Sequence, residues 1–217
     1  MPVMVLPEAT LFPCATYPLK VQKPSHVKMV IDALETHRVF ALAYEEPFTK
    51  KPSEVCGIGL IRAGIRFDKS YHIILQGLAR VSLEHCIKKR PYPVYRITPL
   101  KEDFTKSESI QILMDDLRQT VSMIVKKMKF TAINLTPSSI PSVKPIQPQK
   151  QHGEAPLEDF LTYLRHVEHP GTLADLVAST LVVPGPDRQS ILNAYPVRER
   201  LKTTTRILCK TYGLEQK

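Results

Sequence analysis

The sequence predicts an α+β chain in which an antiparallel β pseudo-barrel with one covering helix is followed by an all-α helical-bundle lobe. Three observations carry that expectation. Residues 39–100 string together short runs rich in β-branched and aromatic side chains, separated by turn formers. Beyond residue 106 the apolar residues recur at helical rather than strand spacing. Prolines make up 19 of 217 residues, about 9% where about 5% is usual, and they interrupt regular structure over 131–156. The expected lobes are residues 1–104 and 105–217.

In the first lobe, Val3 to Leu6 and Thr16 to Gln22 read as short extended segments that Pro2, Pro7, Pro13 and Pro18 confine to sheet edges or bulges. Pro24 suits a first helical position. Behind it, from Ser25 to Arg38, Val27, Val30, Ile31 and Leu34 share one face while Lys28, Asp32 and Glu35 take the other, as in a helix covering a core. Five strands follow over Val39–Tyr44, Glu54–Phe67, Tyr71–Gly77, Leu78–Ile87 and Tyr92–Leu100. Their separators are turn chemistry: Pro47 and Pro52, then Asp68-Lys69-Ser70, then Arg90-Pro91.

The second lobe opens with a long helix over 107–130. Ile110, Leu113, Met114, Leu117, Val121, Ile124, Val125 and Met128 trace its apolar stripe, and Thr105 with Glu108 forms a capping-box pattern ahead of it. Lys126, Lys127 and Lys129 in its last turn suit the negative end of the helix dipole. Residues 131–156, with five prolines among Ser, Gln and Lys, read as a mobile linker. Helices then occupy 157–213: one ending near His166, a second over Leu173–Val183 capped by Thr172 and Asp175, a third over Asp187–Tyr195, and a last launched by Pro196 over Val197–Tyr212.

Composition narrows the function. Hydrophobic residues at 43% can fill a core, yet no apolar run reaches the roughly 18 residues of a spanning helix, so no membrane association is expected. The proline-broken N-terminus, which carries Glu8, reads as structure rather than as a signal. Cys14, Cys56, Cys86 and Cys209 are too far apart for a metal clip, and reduced thiols in a cytoplasmic protein are expected. The net charge of +9 attracts anionic partners weakly, and it is read first as serving solubility.

Motifs for chemistry are missing. No glycine-rich loop ends in Gly-Lys-Ser/Thr to cradle a phosphate, and Gly57-Ile58-Gly59 with Gly64 lies inside a strand at the wrong spacing, which reads as close backbone approach or a bulge. His166 and His169 are two residues, not a metal site. Asp115-Asp116 and Glu45-Glu46 are adjacent in sequence, so each pair splits between faces. No catalytic residue, metal or cofactor is expected.

Five segments resemble, in order, the N-terminal domain of the ATP-dependent Lon proteases. They are LPEATLFPCATYPLKV at 6–21, GIGLIRAG at 57–64, LQGLARVSL at 75–83, LADLVASTLVV at 173–183 and VRERLKTTTRIL at 197–208. The resemblance covers nearly the whole chain and implies a PUA-like barrel lobe and a helical lobe. Two departures stand out. Pro24 is followed by Ser25 and His26 where the family often has an arginine, and Asp68 is followed by Lys69 where a glycine is more usual. No counterpart of the family's ATPase module or Ser-Lys protease module occurs in these residues.

The resemblance implies a non-catalytic substrate-binding domain that contacts unfolded or exposed polypeptide segments of other proteins. Strand-edge hydrogen bonds and apolar contact would supply register and affinity, with Tyr71, Tyr92 and Tyr95 as candidate contacts. Each of these tyrosines is equally well read as barrel packing, and alternation keeps Tyr92 and Tyr95 off one face. An alternative is nucleic-acid binding centred on Lys88, Lys89 and Arg90 beside Tyr92, which combines phosphate attraction with a stacking ring. A third is an adaptor that delivers clients to a separate protease.

Overall fold

The computed structural model describes residues 1–102, 104, 107–134, 155–183 and 185–214. Its elements are β1 (Val3–Leu6), β2 (Thr16–Val21), α1 (Pro24–Leu34), β3 (Val39–Tyr44), β4 (Val55–Phe67), β5 (Ser70–Lys88) and β6 (Val94–Pro99), then α2 (Glu108–Asn134), α3 (Ala155–His166), α4 (Pro170–Leu181), α5 (Pro186–Asn193) and α6 (Val197–Tyr212). The expected α+β class, with strands first and helices after, is the observed one.

The six strands form one sheet in the order β1-β3-β4-β5-β2, with β6 also on β5. Pairing is antiparallel except between β1 and β3, which run parallel because β2 and α1 intervene as a crossover. A bridge between Pro2 and Val94 brings β6 back to β1, supported by hydrogen bonds from Val3 N to Pro93 O and from Tyr95 N to Met1 O, both 3.0 Å. The barrel therefore closes through β1, β3, β4, β5 and β6. Strand β2 is left as an edge on the first part of β5, where Pro18 is tolerated.

β3 is buried on both faces, and alternation sends its side chains to different clusters. Phe40 and Leu42 join Met4, Ile61, Ile73 and Leu75, with Met29, Val30 and Ala33 of α1 laid over them. Ala41 and Ala43 join Val3, Cys56, Val81 and Leu83.

One expected break is missing. The two strands placed at Tyr71–Gly77 and Leu78–Ile87 are a single strand, β5, of 19 residues. Gly77 does not turn the chain; the register against β4 shifts there instead, since Ile58 pairs with Ala79 and Gly59 with Gly77. β5 stays continuous because its first part pairs with β2 and its second with β6. The unusual Asp68 turn does connect β4 to β5. Asp68 takes a left-handed φ of 52°, and Ser70 donates its hydroxyl to Phe67 O at 2.8 Å.

In the helical lobe, Ile110, Met114, Leu117, Val121, Ile124 and Val125 are buried along α2, as their spacing predicts. The helix runs to Asn134, so residues 131–134 belong to it rather than to the linker. Residues 135–154 of that linker, and Thr105 of the capping box, lie outside the described residues. Helix α3 starts at Ala155, because Pro156 in a first turn does not oppose a helix. Helix α4 starts at Pro170, and its cap is His169, whose Nδ1 accepts from Thr172 N at 3.2 Å; Thr172 and Asp175 lie within the helix. All four cysteines are free thiols.

Candidate functional site

The segments that looked most distinctive in sequence meet at one place, the junction of barrel and helices. The loop after β1 lies directly on the sheet. A Cβ on Gly57 would strike Leu11 O, and one on Gly77 would strike Phe12 O. These glycines let backbone approach backbone, as the strand context of Gly57-Ile58-Gly59 implies. Phe12, fully buried, leaves the barrel and joins the helical core beside Leu173, Val177 and Leu192.

Four residues complete the junction: Arg80, Asp175 and Arg200 from three different elements, and Glu102 from the segment between β6 and α2. Arg80 of β5 forks onto Asp175 of α4, with Nη1 to Oδ2 at 2.7 Å and Nη2 to Oδ1 closer still; it also reaches Glu102 at 3.2 Å and donates from Nε to Leu192 O at 3.2 Å. Arg200 of α6 binds Glu102, approaches Asp175 at 3.4 Å, and donates to Ala194 O and Tyr195 O at 3.0 and 2.8 Å. Arg80, Asp175 and Arg200 are each at most 2% exposed. Burial pushes the Asp175 carboxyl up while Arg80 and Arg200 pull it back; burial lowers the Arg200 guanidinium, an effect that Asp175 and Glu102 oppose. The protein itself occupies these donors and acceptors, so the cluster locks the lobes together and offers nothing to a substrate. Sequence reasoning passed over it because its members lie 22 to 120 positions apart.

The three candidate tyrosines are not brought together. Tyr71 and Tyr92 pack against the cluster under α1, while Tyr95 packs against the other barrel cluster. Tyr92 precedes β6 rather than lying in it, and it donates its hydroxyl to Asp32 at 2.7 Å. Burial, and then that bond, push the Tyr92 phenol up to about 12. Hydrogen bonds from Lys28 and Tyr92 hold Asp32 below the usual carboxylate range. Lys88, Lys89 and Arg90 are exposed at the end of β5 and in the turn that follows, where the Arg90–Pro91 bond is cis. Tyr92 beside them is half-buried, with its hydroxyl engaged.

A different surface stands out. Directly opposed residues of a sheet share a face, and Pro18, Ile74 and Ala63 are opposed in turn across β2, β5 and β4. Ile65 and Phe67 continue that face along β4, Lys20 and His72 border it, and all of these residues are exposed. Ile65, Phe67 and Ile74 are 71, 72 and 44% exposed. The other face of the same strands carries Val21, Ile73 and Leu75 in the core. The outer face thus presents contiguous apolar side chains beside the edge of β2, which pairs with no strand but β5 among the described residues. Its signal was present in the sequence: Ile73 and Ile74 are consecutive, so one of them must face outward, and Ile65 and Phe67 alternate around Arg66.

A groove of about 680 Å³ also runs between α2 and α6. It is lined by acids and bases together, among them Asp116, Glu199, Lys202 and Arg206, with Lys202 already paired to Glu199 at 3.2 Å. His166 binds Thr162 O and His169 caps α4, so the two histidines serve their own helices. Among the described residues no helix is long and apolar enough to cross a membrane, and no three His, Cys, Asp or Glu residues cluster as metal ligands.

The family model described as the ATP-dependent protease La (LON) substrate-binding domain matches residues 1–210. The chain is similar to the Lon protease of Desulfosudis oleivorans, 24% identical over 216 residues, covering 96% of this chain and 23% of that protein. It is also similar to Lon protease 2 of Myxococcus xanthus, 22% identical, with 96% and 23% covered. The chain therefore spans about a quarter of the length of these curated relatives. Among solved structures, the N-terminal domain of Mycobacterium avium complex Lon protease superposes with a TM-score of 0.68 at 12% identity, covering 95% of this chain and 96% of that one. A Lon N-terminal domain protein from Xanthomonas campestris gives 0.56 at 14% identity, with 93% and 94% covered. These likenesses show the fold.

Proposed function

The chain belongs to the ATP-dependent protease La (LON) substrate-binding domain family, and from that premise we propose that it binds exposed or unfolded polypeptide segments and catalyses no reaction of its own. The observation that carries this reading is the outer face of β2, β5 and β4, with Ile65, Phe67 and Ile74 in the open beside the edge of β2. A polypeptide laid there would bury apolar side chains and pair its backbone with β2, although Pro18 removes one donor from that edge. Complete burial of an Ile or Phe side chain is worth about 1.5–3 kcal/mol. Three such residues, partly covered, supply several kcal/mol before the cost of association, short of the roughly 8 kcal/mol of micromolar binding, so backbone pairing along β2 and further apolar contacts must supply the rest. We assign contact to these residues rather than to Tyr71, Tyr92 and Tyr95, which pack on core clusters.

The test is a titration of the chain with a permanently unfolded model protein at low and moderate salt. Saturable binding at micromolar concentration that changes little with salt is expected, with a severalfold loss in the Ile65→Ser/Phe67→Ser variant. Absence of saturable binding would overturn the reading. Nucleic-acid binding through the exposed Lys88, Lys89 and Arg90 turn would instead show a steep loss of affinity as salt rises. An adaptor role, in which the same face holds a client for a separate protease, would show itself by capture of that protease together with the chain.

A further inference from the structure

The junction between the lobes holds three buried guanidiniums, those of Arg80, Arg188 and Arg200, but among the described residues only two carboxylates, Asp175 and Glu102, answer them. Both carboxylates are taken by Arg80 and Arg200. Arg188, in the first turn of α5, is left over. It is 9% exposed, stacks on the Phe12 ring at 5.3 Å, and makes no hydrogen bond to any described residue. Its Nε is sealed from solvent without an acceptor. The same ring already has Arg80 on it at 6.0 Å, so two cations share one aromatic side chain.

Such an arrangement is costly, because a buried charge is ordinarily paired and a buried N–H ordinarily bonded. The stacking on Phe12 offsets part of this at about 0.5–2 kcal/mol, and it holds the guanidinium plane in place. The helix adds to the positive field: Gly185 at the N-cap supplies no side-chain acceptor, and α5 begins there. Burial lowers the Arg188 guanidinium, and the neighbouring Tyr17 phenol opposes this only where it is ionised, at high pH, so near neutral pH no charge answers Arg188 from that side. Tyr17 is in β2, the edge strand, which begins four residues after Phe12.

We propose that Arg188 is the carboxylate-binding site of this chain, taking an acidic group of a bound polypeptide through its Nη nitrogens. Nε is closed off, so the carboxylate approaches end-on rather than from the Nε side. The occupant rests on the polypeptide reading above: a segment following β2 passes Tyr17, and its acidic group supplies the charge the junction lacks. The source is either an internal Asp or Glu side chain or the C-terminal carboxylate.

Two measurements test this separately from the polypeptide reading. First, the Arg188 Nε–Hε resonance of the wild-type chain is followed during titration with sodium acetate against sodium chloride at equal ionic strength. A saturable shift with acetate alone is expected, and its absence overturns the carboxylate site. Second, three apolar peptides are compared by fluorescence anisotropy: one with Gln and an amidated end, one with Glu and an amidated end, and one with Gln and a free C-terminus. At least one carboxylate-bearing peptide should bind about tenfold tighter than the first, and Arg188→Met should abolish that preference while keeping affinity for the first. Arg188→Lys, which keeps charge without the planar stack, should retain part of it. A preference that survives Arg188→Met overturns the proposal. If no peptide binds but acetate still shifts Arg188, the polypeptide reading fails and the carboxylate site stands.

Discussion

Replacing Asp175 by Asn changes one charge and almost no volume, which makes it a sharp probe of the lock between the lobes. In the wild type this carboxylate receives both Nη groups of Arg80 and one from Arg200, all at 2% exposure or less. The amide keeps one acceptor and turns its other end into a donor facing a guanidinium. Glu102, a quarter exposed, is then left to answer both arginines. Removing one partner of a buried pair costs about 3–5 kcal/mol, and the retained acceptor puts Asp175→Asn near 3. For a domain of this size that is a fall in Tm of about 6–12 °C. Urea unfolding and thermal melting measure it. The companion variant Arg80→Met/Asp175→Leu removes both charges, leaves Arg200 with Glu102, and should recover at least half of the loss, because an apolar pair of similar volume carries no unpaired charge. A loss below about 1 kcal/mol for Asp175→Asn, or a double variant weaker than the single one, would show that the cluster does not lock the lobes in this way.

Gly77→Ala should cost about 1–3 kcal/mol or more in urea unfolding, because the new methyl meets the Phe12 carbonyl and the loop must move. His26, buried in α1, has its pKa lowered by desolvation and then by Lys23. The folded state therefore binds fewer protons than the unfolded one below the ordinary value of 6.5, so stability should fall as pH drops through that window, and His26→Gln should flatten the slope in melts between pH 7 and 5. Tyr92→Phe removes the bond to Asp32 and should leave affinity for a permanently unfolded model protein unchanged in a titration at moderate salt.

Local chemistry was legible in sequence and long-range pairing was not. The α2 stripe, the positions of β3 and α6, and the tolerance of Pro18 at an edge follow from periodicity and from what proline forbids. The strand boundary expected after Gly77 failed because a glycine amid apolar residues can end a strand or admit close backbone approach; only Phe12, brought in from the loop after β1, decides for the latter. The parallel pairing of β1 with β3 depends on a crossover that no local pattern records. The candidate tyrosines were chosen by residue type, but their large apolar rings are what barrel cores recruit. The outer face went unnoticed for the converse reason: Ile65, Phe67 and Ile74 look like core residues until the sheet shows that Val21, Ile73 and Leu75, on the opposite face of the same strands, already fill the core. Arg188 carries no sequence signal beyond its charge, since its isolation results from how Asp175 and Glu102 are shared.

Hydrogen–deuterium exchange of the chain, free and saturated with a permanently unfolded polypeptide, reads the binding surface without mutation. Slowed exchange at the backbone of residues 16–21 and 62–76 is expected, since those strands carry the β2 edge and the exposed apolar face. Unchanged exchange there, with protection confined to the turn around Lys88, Lys89 and Arg90 or to the groove between α2 and α6, would contradict it.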